Sequence, residues 1–331
     1  MNRTNVQARK SWLPNDLTDA EEKLMDQKVI DGRAHAAGNL KVISQDVEVL
    51  KEQGWNPQLI SVMVGDVQEA ALYVRNQKRI AEQAGIAFRE KRLPESITEA
   101  EMQAAIAGLN ADPSVSGIIL QRPMPAHLNV KALQKAVHPL KDVEGMHPES
   151  IGNIVYKEME LGPCTAMAAV EILKSTGLKL EGLEVVVIGH SEIVGKPIAF
   201  LLLAEGATVT VCHHMTHNVA VHTRRADVVF VAVGKAGLVT GDMLKPGAAV
   251  IDIGINQVVD AQGNSKVVGD ADFESCSQVA GWITPVPGGV GPVTVSVLMR
   301  NAVTATQRQK AHYESEYSHR FVPAGMSPVG L

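Results

Sequence analysis

The stretch TPVPGGVGPVTV, residues 284–295, decides the reading of this chain. Its prolines fix φ at three points, while its glycines open backbone angles and close approaches denied to other residues. Such a loop is rigid, side-chain-poor and open to a flat ligand. It follows a short apolar segment, 279–283, and leads into 294–305, TVSVLMRNAVTA, whose spacing predicts a helix. A ligand is then expected against the loop backbone at the helix start. The plainer reading is a structural turn, and the constraints around Gly288 and Gly289 argue against it.

Upstream of that loop the chain alternates strand, glycine turn and helix. EVVVI at 184–188 reads as a buried strand, GHSEIVGKP at 189–197 as the turn, and 198–204 as an apolar helix that Gly206 ends. Further strands are expected at 208–212, at 228–233 before Gly234, and at 249–253 before Gly254. A strand, a turn and a helix start together resemble a dinucleotide site, where backbone N–H groups meet pyrophosphate. Ser191 takes the place of the middle glycine of GxGxxG, so that motif alone is weak.

The first half repeats the alternation. Helices are predicted at 34–52, 69–84 and 98–110, and strands at 59–64, 86–93 and 117–120. Strands separated by helices imply a mostly parallel sheet, with ligands at the carboxyl ends of its strands. The fold class expected is therefore α/β, a three-layer first domain followed by a Rossmann-like second.

Composition bounds the rest. At 331 residues, 45% of them hydrophobic, the chain is long enough for two cores. A formal net charge of −5 offers no general attraction for nucleic acid or an anionic membrane. No apolar run reaches the roughly 18 residues that read as a membrane span, and the first 21 residues lack the apolar centre of a secretory signal. Cys164, Cys212 and Cys276 are too scattered for a disulfide framework or a zinc site. They read as packed residues in a cytoplasmic, reduced setting.

Eight motifs in order carry a more specific resemblance. They are VGD at 64–66, Tyr73-Val74, GIILQRPMP at 117–125, KDVEG at 141–145, PCTA at 163–166, VIGHSEIVGKP at 187–197, VIDIGIN at 250–256, and PGGVGPVTV at 287–295. With them the chain resembles the methylenetetrahydrofolate dehydrogenase/cyclohydrolase family over about 29–307. The resemblance implies a folate-binding catalytic domain at 26–165, an NAD(P)-binding domain at 166–290, a cleft between them, and a helix at 291–312 packing back on the first. An extension at 1–25 and a tail at 313–331 complete that division. It also implies a homodimer, oxidation of 5,10-methylenetetrahydrofolate by NAD(P), and hydrolysis of the methenyl product.

Carried over residue by residue, the resemblance is uneven. Tyr73 matches a tyrosine that stacks on folate, and Gln121 a glutamine at its strand's end. Where the family has a lysine four residues after that tyrosine, this chain has Gln77. Lys78 is roughly 100° around the helix and a poor substitute. An amide orients groups but exchanges no proton near neutral pH, so hydrolysis is expected to suffer most. Glu144 stands for a family aspartate at the pterin edge, Arg122 for a leucine, Ala166 for a proline and Val293 for a methionine or phenylalanine. Arg122 reads either as balancing Glu69 or Glu144 or meeting an altered folate tail, or equally as part of solvated surface pairs. Pro287, Gly288 and Gly289 complete the expected substrate contacts.

For the cofactor, the resemblance and the strand ends together name Gly189, His190, Ser191, Val194, Gly195 and Pro197 at the phosphate turn. His214 joins His190 near the adenosine ribose, and Val233, Gly234, Ile255, Gly291 and Thr294 complete the site. No acid follows the strand at 208–212; His213, His214 and His217 do, which favours a 2′-phosphate and hence NADP, with NAD the alternative. The same three histidines read as a metal site only weakly, for want of a further ligand, so no metal is expected. Three functions remain open: a dehydrogenase with hydrolysis weakened or lost, a full dehydrogenase/cyclohydrolase, and a paralogue that binds folate or nucleotide without turnover.

Overall fold

The computed structural model describes residues 28–66, 68–259, 263 and 265–317, without the side chains of 68–70 and 317. The extension expected at 1–25 and the tail from 318 onward lie outside the described residues. In chain order the elements are α1 (Gly32–Glu52), β1 (Gln58–Val64), α2 (Gln68–Gln83), β2 (Ala87–Leu93), α3 (Glu99–Ala111), β3 (Gly117–Leu120), α4 (Val130–Ala136) and α5 (Pro148–Tyr156). Then come α6 (Cys164–Ser175), β4 (Glu184–Ile188), α7 (Gly195–Ala204), β5 (Thr208–Cys212), α8 (Val219–Thr223), β6 (Val228–Val231) and β7 (Ala249–Asp252). The last are β8 (Asn256–Val259), β9 (Ser265–Val268), α9 (Phe273–Val279), β10 (Trp282–Ile283) and α10 (Val290–Tyr317).

These elements pack as two compact units. The first holds Leu40–Ser150 and the described residues from Leu298 onward; the second holds the described residues up to Asn39 and within Ile151–Val297. Residues 28–39 and 151–165, which the sequence groups with the first domain, therefore pack with the second.

The first unit is built on a three-stranded parallel sheet in the order β2-β1-β3. The central strand β1 is buried from Leu59 to Val64, which is why it reads as one apolar run. Ile60, Val62, Ile118 and Leu120 pack with Met102 and Ile106 of α3 and Leu133 of α4. Thr98 starts α3 with a capping box, its hydroxyl accepting from Glu101 N while the Glu101 carboxylate accepts from Thr98 N. The later half of α10 is tied to the same sheet end. Asn301 Nδ2 donates to Val143 O at 2.8 Å, and Gln309 Nε2 to Ser116 O and Leu140 O.

The second unit carries five parallel strands in the order β10-β7-β6-β4-β5, with the β8–β9 hairpin apart. Alternate residues face opposite ways. Val185, Val187, Phe230 and Ile251 pack under Ile172 of α6 and Ile198 and Leu202 of α7. Val186, Ile188, Val229 and Val250 pack under Cys276 and Ala280. Both faces are covered, as a parallel sheet requires.

The last helix departs from expectation at both ends. It begins at Val290, inside the PGGVGP stretch, so Gly291 and Thr294 are helical residues and the loop proper is shorter than predicted. It also runs past 312 to Tyr317, into the stretch assigned to the tail. The Gln309 bonds, a Lys310–Glu314 pair and an edge contact between Trp55 and Tyr313 hold those last turns.

Glycine is required where the phosphate turn crosses itself. Gly189 has φ +115°, and a methyl group on Gly195 would run into the Gly189 carbonyl. Gly195→Ala is therefore expected to lower the thermal midpoint by several degrees and to abolish NADP binding, measured by thermal unfolding with and without cofactor.

Candidate functional site

The first unit gathers its polar groups where β1 and β3 end. Ser61 pairs across with Ile119, and Gln121 lies two residues beyond Ile119, so both side chains leave the same face. Gln121 Nε2 donates to Ser61 Oγ at 3.1 Å and to Gln77 Oε1 at 2.7 Å. All three residues are buried. Gln77 reaches this spot from α2, one turn after Tyr73, whose ring is 45% exposed. Lys78, the neighbouring cation, is exposed.

Glu144 closes the same strand end, accepting from Leu120 N at 3.0 Å. The residue is only partly buried, yet its carboxylate is withdrawn enough from water that desolvation pushes its pKa up to about 7. The Leu120 N–H and the Arg122 guanidinium pull the other way, while Asp142 adds to the rise. Arg122 is thus felt at Glu144 but is itself exposed. The side chain of Glu69, the other expected partner, lies outside the described residues. Lys141 and Asp142 build the turn: Lys141 Nζ donates to Leu109 O and Asp112 O, and Asp142 accepts from Met146 N, His147 N and Ser150 Oγ.

The second unit gathers the expected cofactor residues. Ser191 Oγ accepts from Val194 N at 3.1 Å, which shapes the approach to α7 where the middle glycine of the motif is missing. Gly195 and Pro197 are buried under that helix, while His190 and Ser191 are exposed. The imidazoles of His190, His213 and His214 cluster, with ring centres 4.7 to 6.2 Å apart. His217, counted with the last two from sequence, has no ring contact with them. Among the described residues no group of three or more His, Cys, Asp or Glu side chains is placed to hold a metal ion.

Two aspartates that the sequence reading passed over organise the remaining loops. Asp270 accepts from Val233 N, Gly234 N and Lys235 N at 2.6 to 3.0 Å, and from Asn256 Nδ2. Asp252 accepts from Gly254 N, Asp270 N and Ala271 N, and burial pushes its pKa up to about 6. Only their places after apolar strands, in VIDIG and VVGD, signal them. This scaffold leaves Val233 40% and Ile255 73% exposed at the ends of β6 and β7. A phosphate turn, donor imidazoles and bare apolar side chains along one sheet edge fit a dinucleotide with a flat nicotinamide ring.

The PGG loop is mostly packed. Pro287 is exposed and Gly288 partly so, but Gly289 is buried, where a methyl group would meet Pro285 O and Thr284. The first turn of α1 lies on it: Gly32 abuts the Gly289 carbonyl, and the Arg33 guanidinium lies beside Gly288. Thr294 is buried, its hydroxyl donating to Val290 O.

Fold and site together define a dinucleotide-binding α/β protein whose other unit presents an amide and carboxyl cluster. Residues 30–144 match the catalytic domain of the tetrahydrofolate dehydrogenase/cyclohydrolases, and residues 163–310 match their NAD(P)-binding domain. A bifunctional protein FolD 2 of Mesorhizobium japonicum is 61% identical over 88% of this chain and 95% of its own length. Among solved structures, FolD of Campylobacter jejuni aligns with a TM-score of 0.81 at 39% identity, covering 85% of this chain and 98% of its own. The Trypanosoma brucei enzyme, complexed with NADP cofactor and inhibitor, aligns with a TM-score of 0.80 at 37% identity, covering 85% and 97%. The chain belongs to the tetrahydrofolate dehydrogenase/cyclohydrolase family.

The raised pKa of Glu144 has a definite sign. Its carboxyl ionises at about 7 in the fold against 4.5 as a free side chain, so stability is lost as pH rises between those values. Glu144→Gln is expected to flatten the stability profile over that window, leaving a smaller slope from Asp252; chemical denaturation from pH 4.5 to 8 measures it.

Proposed function

We propose that this protein oxidises 5,10-methylenetetrahydrofolate with NADP and that its hydrolysis of the methenyl product is weakened or lost. The observation that carries the proposal is Gln77, a neutral amide bonded to Gln121 where the family resemblance calls for a lysine. Bound NADP supplies the hydride acceptor. The chain's residues hold the folate: Tyr73 by stacking, Glu144 at the pterin edge, and Gln121 at the reacting bridge, with Arg122, Pro287 and Gly288 further contacts. The methylene C–H bond breaks with its electron pair leaving as hydride, and the bridge remains as a cation shared by two nitrogens. Positioning and a tolerant electrostatic surface supply most of what that step needs.

Hydrolysis asks for more. Water must lose a proton as it attacks and a ring nitrogen must gain one, and Gln77 exchanges neither near neutral pH. Names of relatives as bifunctional support the opposite reading for the second half, and activity measurements separate the two.

The imidazoles at His190, His213 and His214 support NADP over NAD as donors for a 2′-phosphate. A homodimer is supported by the edge strand β5, where Val211 is 38% exposed, beside Phe200 and Leu203 of α7, 37% and 53% exposed.

The test follows reduced cofactor and methenyltetrahydrofolate decay separately in one purified preparation. NADP reduction with a methenyl product that persists is expected, and Gln77→Lys is expected to speed its decay by roughly tenfold or more. Wild-type decay as fast as cofactor reduction would sink the single-activity reading, and absence of reduction would sink the enzyme assignment.

A further inference from the structure

Ser61 is a hydroxyl with no exposure at all, in a strand whose other residues from Leu59 to Val64 are Leu, Ile, Val and Met. Burying a hydroxyl there costs stability unless it is bonded. Its bond is to Gln121 Nε2, whose other N–H goes to Gln77 Oε1. Both donors of the Gln121 amide are thereby used. Every buried side-chain nitrogen and oxygen among the described residues has a partner. The Gln121 carbonyl oxygen and the Gln77 amide nitrogen, bonded to no described side chain, are therefore not fully buried and remain available to a ligand.

We infer that Ser61 is a positioning residue for the oxidation: with Gln77 it holds the NH₂ end of Gln121 inward, so that the carbonyl oxygen faces the cation left by hydride loss. The inference rests on the function proposed above. A carbonyl dipole pointing its negative end at a developing positive charge stabilises it without any proton transfer. A lysine at position 77 would act in the opposite sense, since an ammonium ion donates only and would draw that oxygen toward itself. Ser61 matters because one anchored N–H leaves the amide free to swing. Without the hydroxyl, the second N–H faces a methyl group, a buried unpaired donor, and inversion of the amide relieves it by turning the NH₂ toward the cation.

The experiment compares the wild-type chain with Ser61→Ala, Ser61→Cys and Ser61→Thr by kcat for NADP reduction, KM for NADP, and thermal midpoint. Ser61→Cys, close in size and a weak donor and acceptor, stands in if Ser61→Ala fails to fold. Expected is a fall in kcat of about tenfold for Ala and Cys, an unchanged KM for NADP, and recovery to within about twofold by Thr, which keeps the hydroxyl. A kcat for Ser61→Ala equal to wild type overturns the inference alone. So does a loss in Ser61→Thr matching that in Ser61→Ala, which marks a packing role. A wild-type chain that never reduces NADP overturns the underlying function and the inference with it.

Discussion

Within each sheet parallel strands end side by side, and that single constraint places the candidate site groups of each unit. Gln121 follows β3, Gly189 β4, His213 β5 and Val233 β6, while Asp252 ends β7. At each such end the chain leaves the ladder, and its backbone N–H groups need acceptors. In this protein carboxylates supply many of them. Asp270 takes three successive amides, Asp252 three, and Glu144 one. The comparison of the last two is instructive. Burial raises both by similar amounts, Asp252 from 3.8 to about 6 against three N–H donors and Glu144 from 4.5 to about 7 against one and the Arg122 guanidinium. Donor number opposes desolvation in both cases and falls short in both.

The first unit solves a different problem at its strand end. A buried ammonium ion needs anionic partners or a pKa depressed by desolvation, and it raises the local potential against any cation formed beside it. Ser61, Gln77 and Gln121 satisfy one another with no net charge. That arrangement is cheap to bury and sets no positive charge against a cation, but its amides exchange no proton near neutral pH. On the resemblance that places a lysine at position 77, a single residue changes the sign of the whole cluster.

Most of the fold was legible in the sequence because parallel strands buried on both faces leave unmistakable apolar runs: GIIL, EVVVI and VVFV all lie in strands that end within two residues of expectation. The family motifs made the two-domain class and the dinucleotide turn readable as well. The extent of α10 was not, because its first turn is written in Gly and Pro and its last turns are polar, held by bonds from Gln309 and Lys310 to residues distant in sequence. Ser61 was equally silent. One hydroxyl in an apolar run looks like tolerance until the strand register sets it beside Gln121. Asp252 and Asp270 escaped for the same reason, since their partners are backbone amides that no side-chain pattern advertises.

The proposal of weakened hydrolysis also has to account for Glu144. With Gln77 neutral, the group in the first unit's cluster that titrates near neutrality is this carboxyl, at about 7. It can in principle exchange a proton that the amides cannot. Yet its geometry is committed: one oxygen is fixed by Leu120 N, and the pterin edge is its proposed ligand. A carboxylate held by a backbone amide and by substrate has little freedom to follow a water through attack and departure. The bond from Leu120 N that would make Glu144 a good anchor for a folate would also make it a poor relay, so the weakened hydrolysis proposed above draws support from the position of Glu144 as well as from the amide at Gln77.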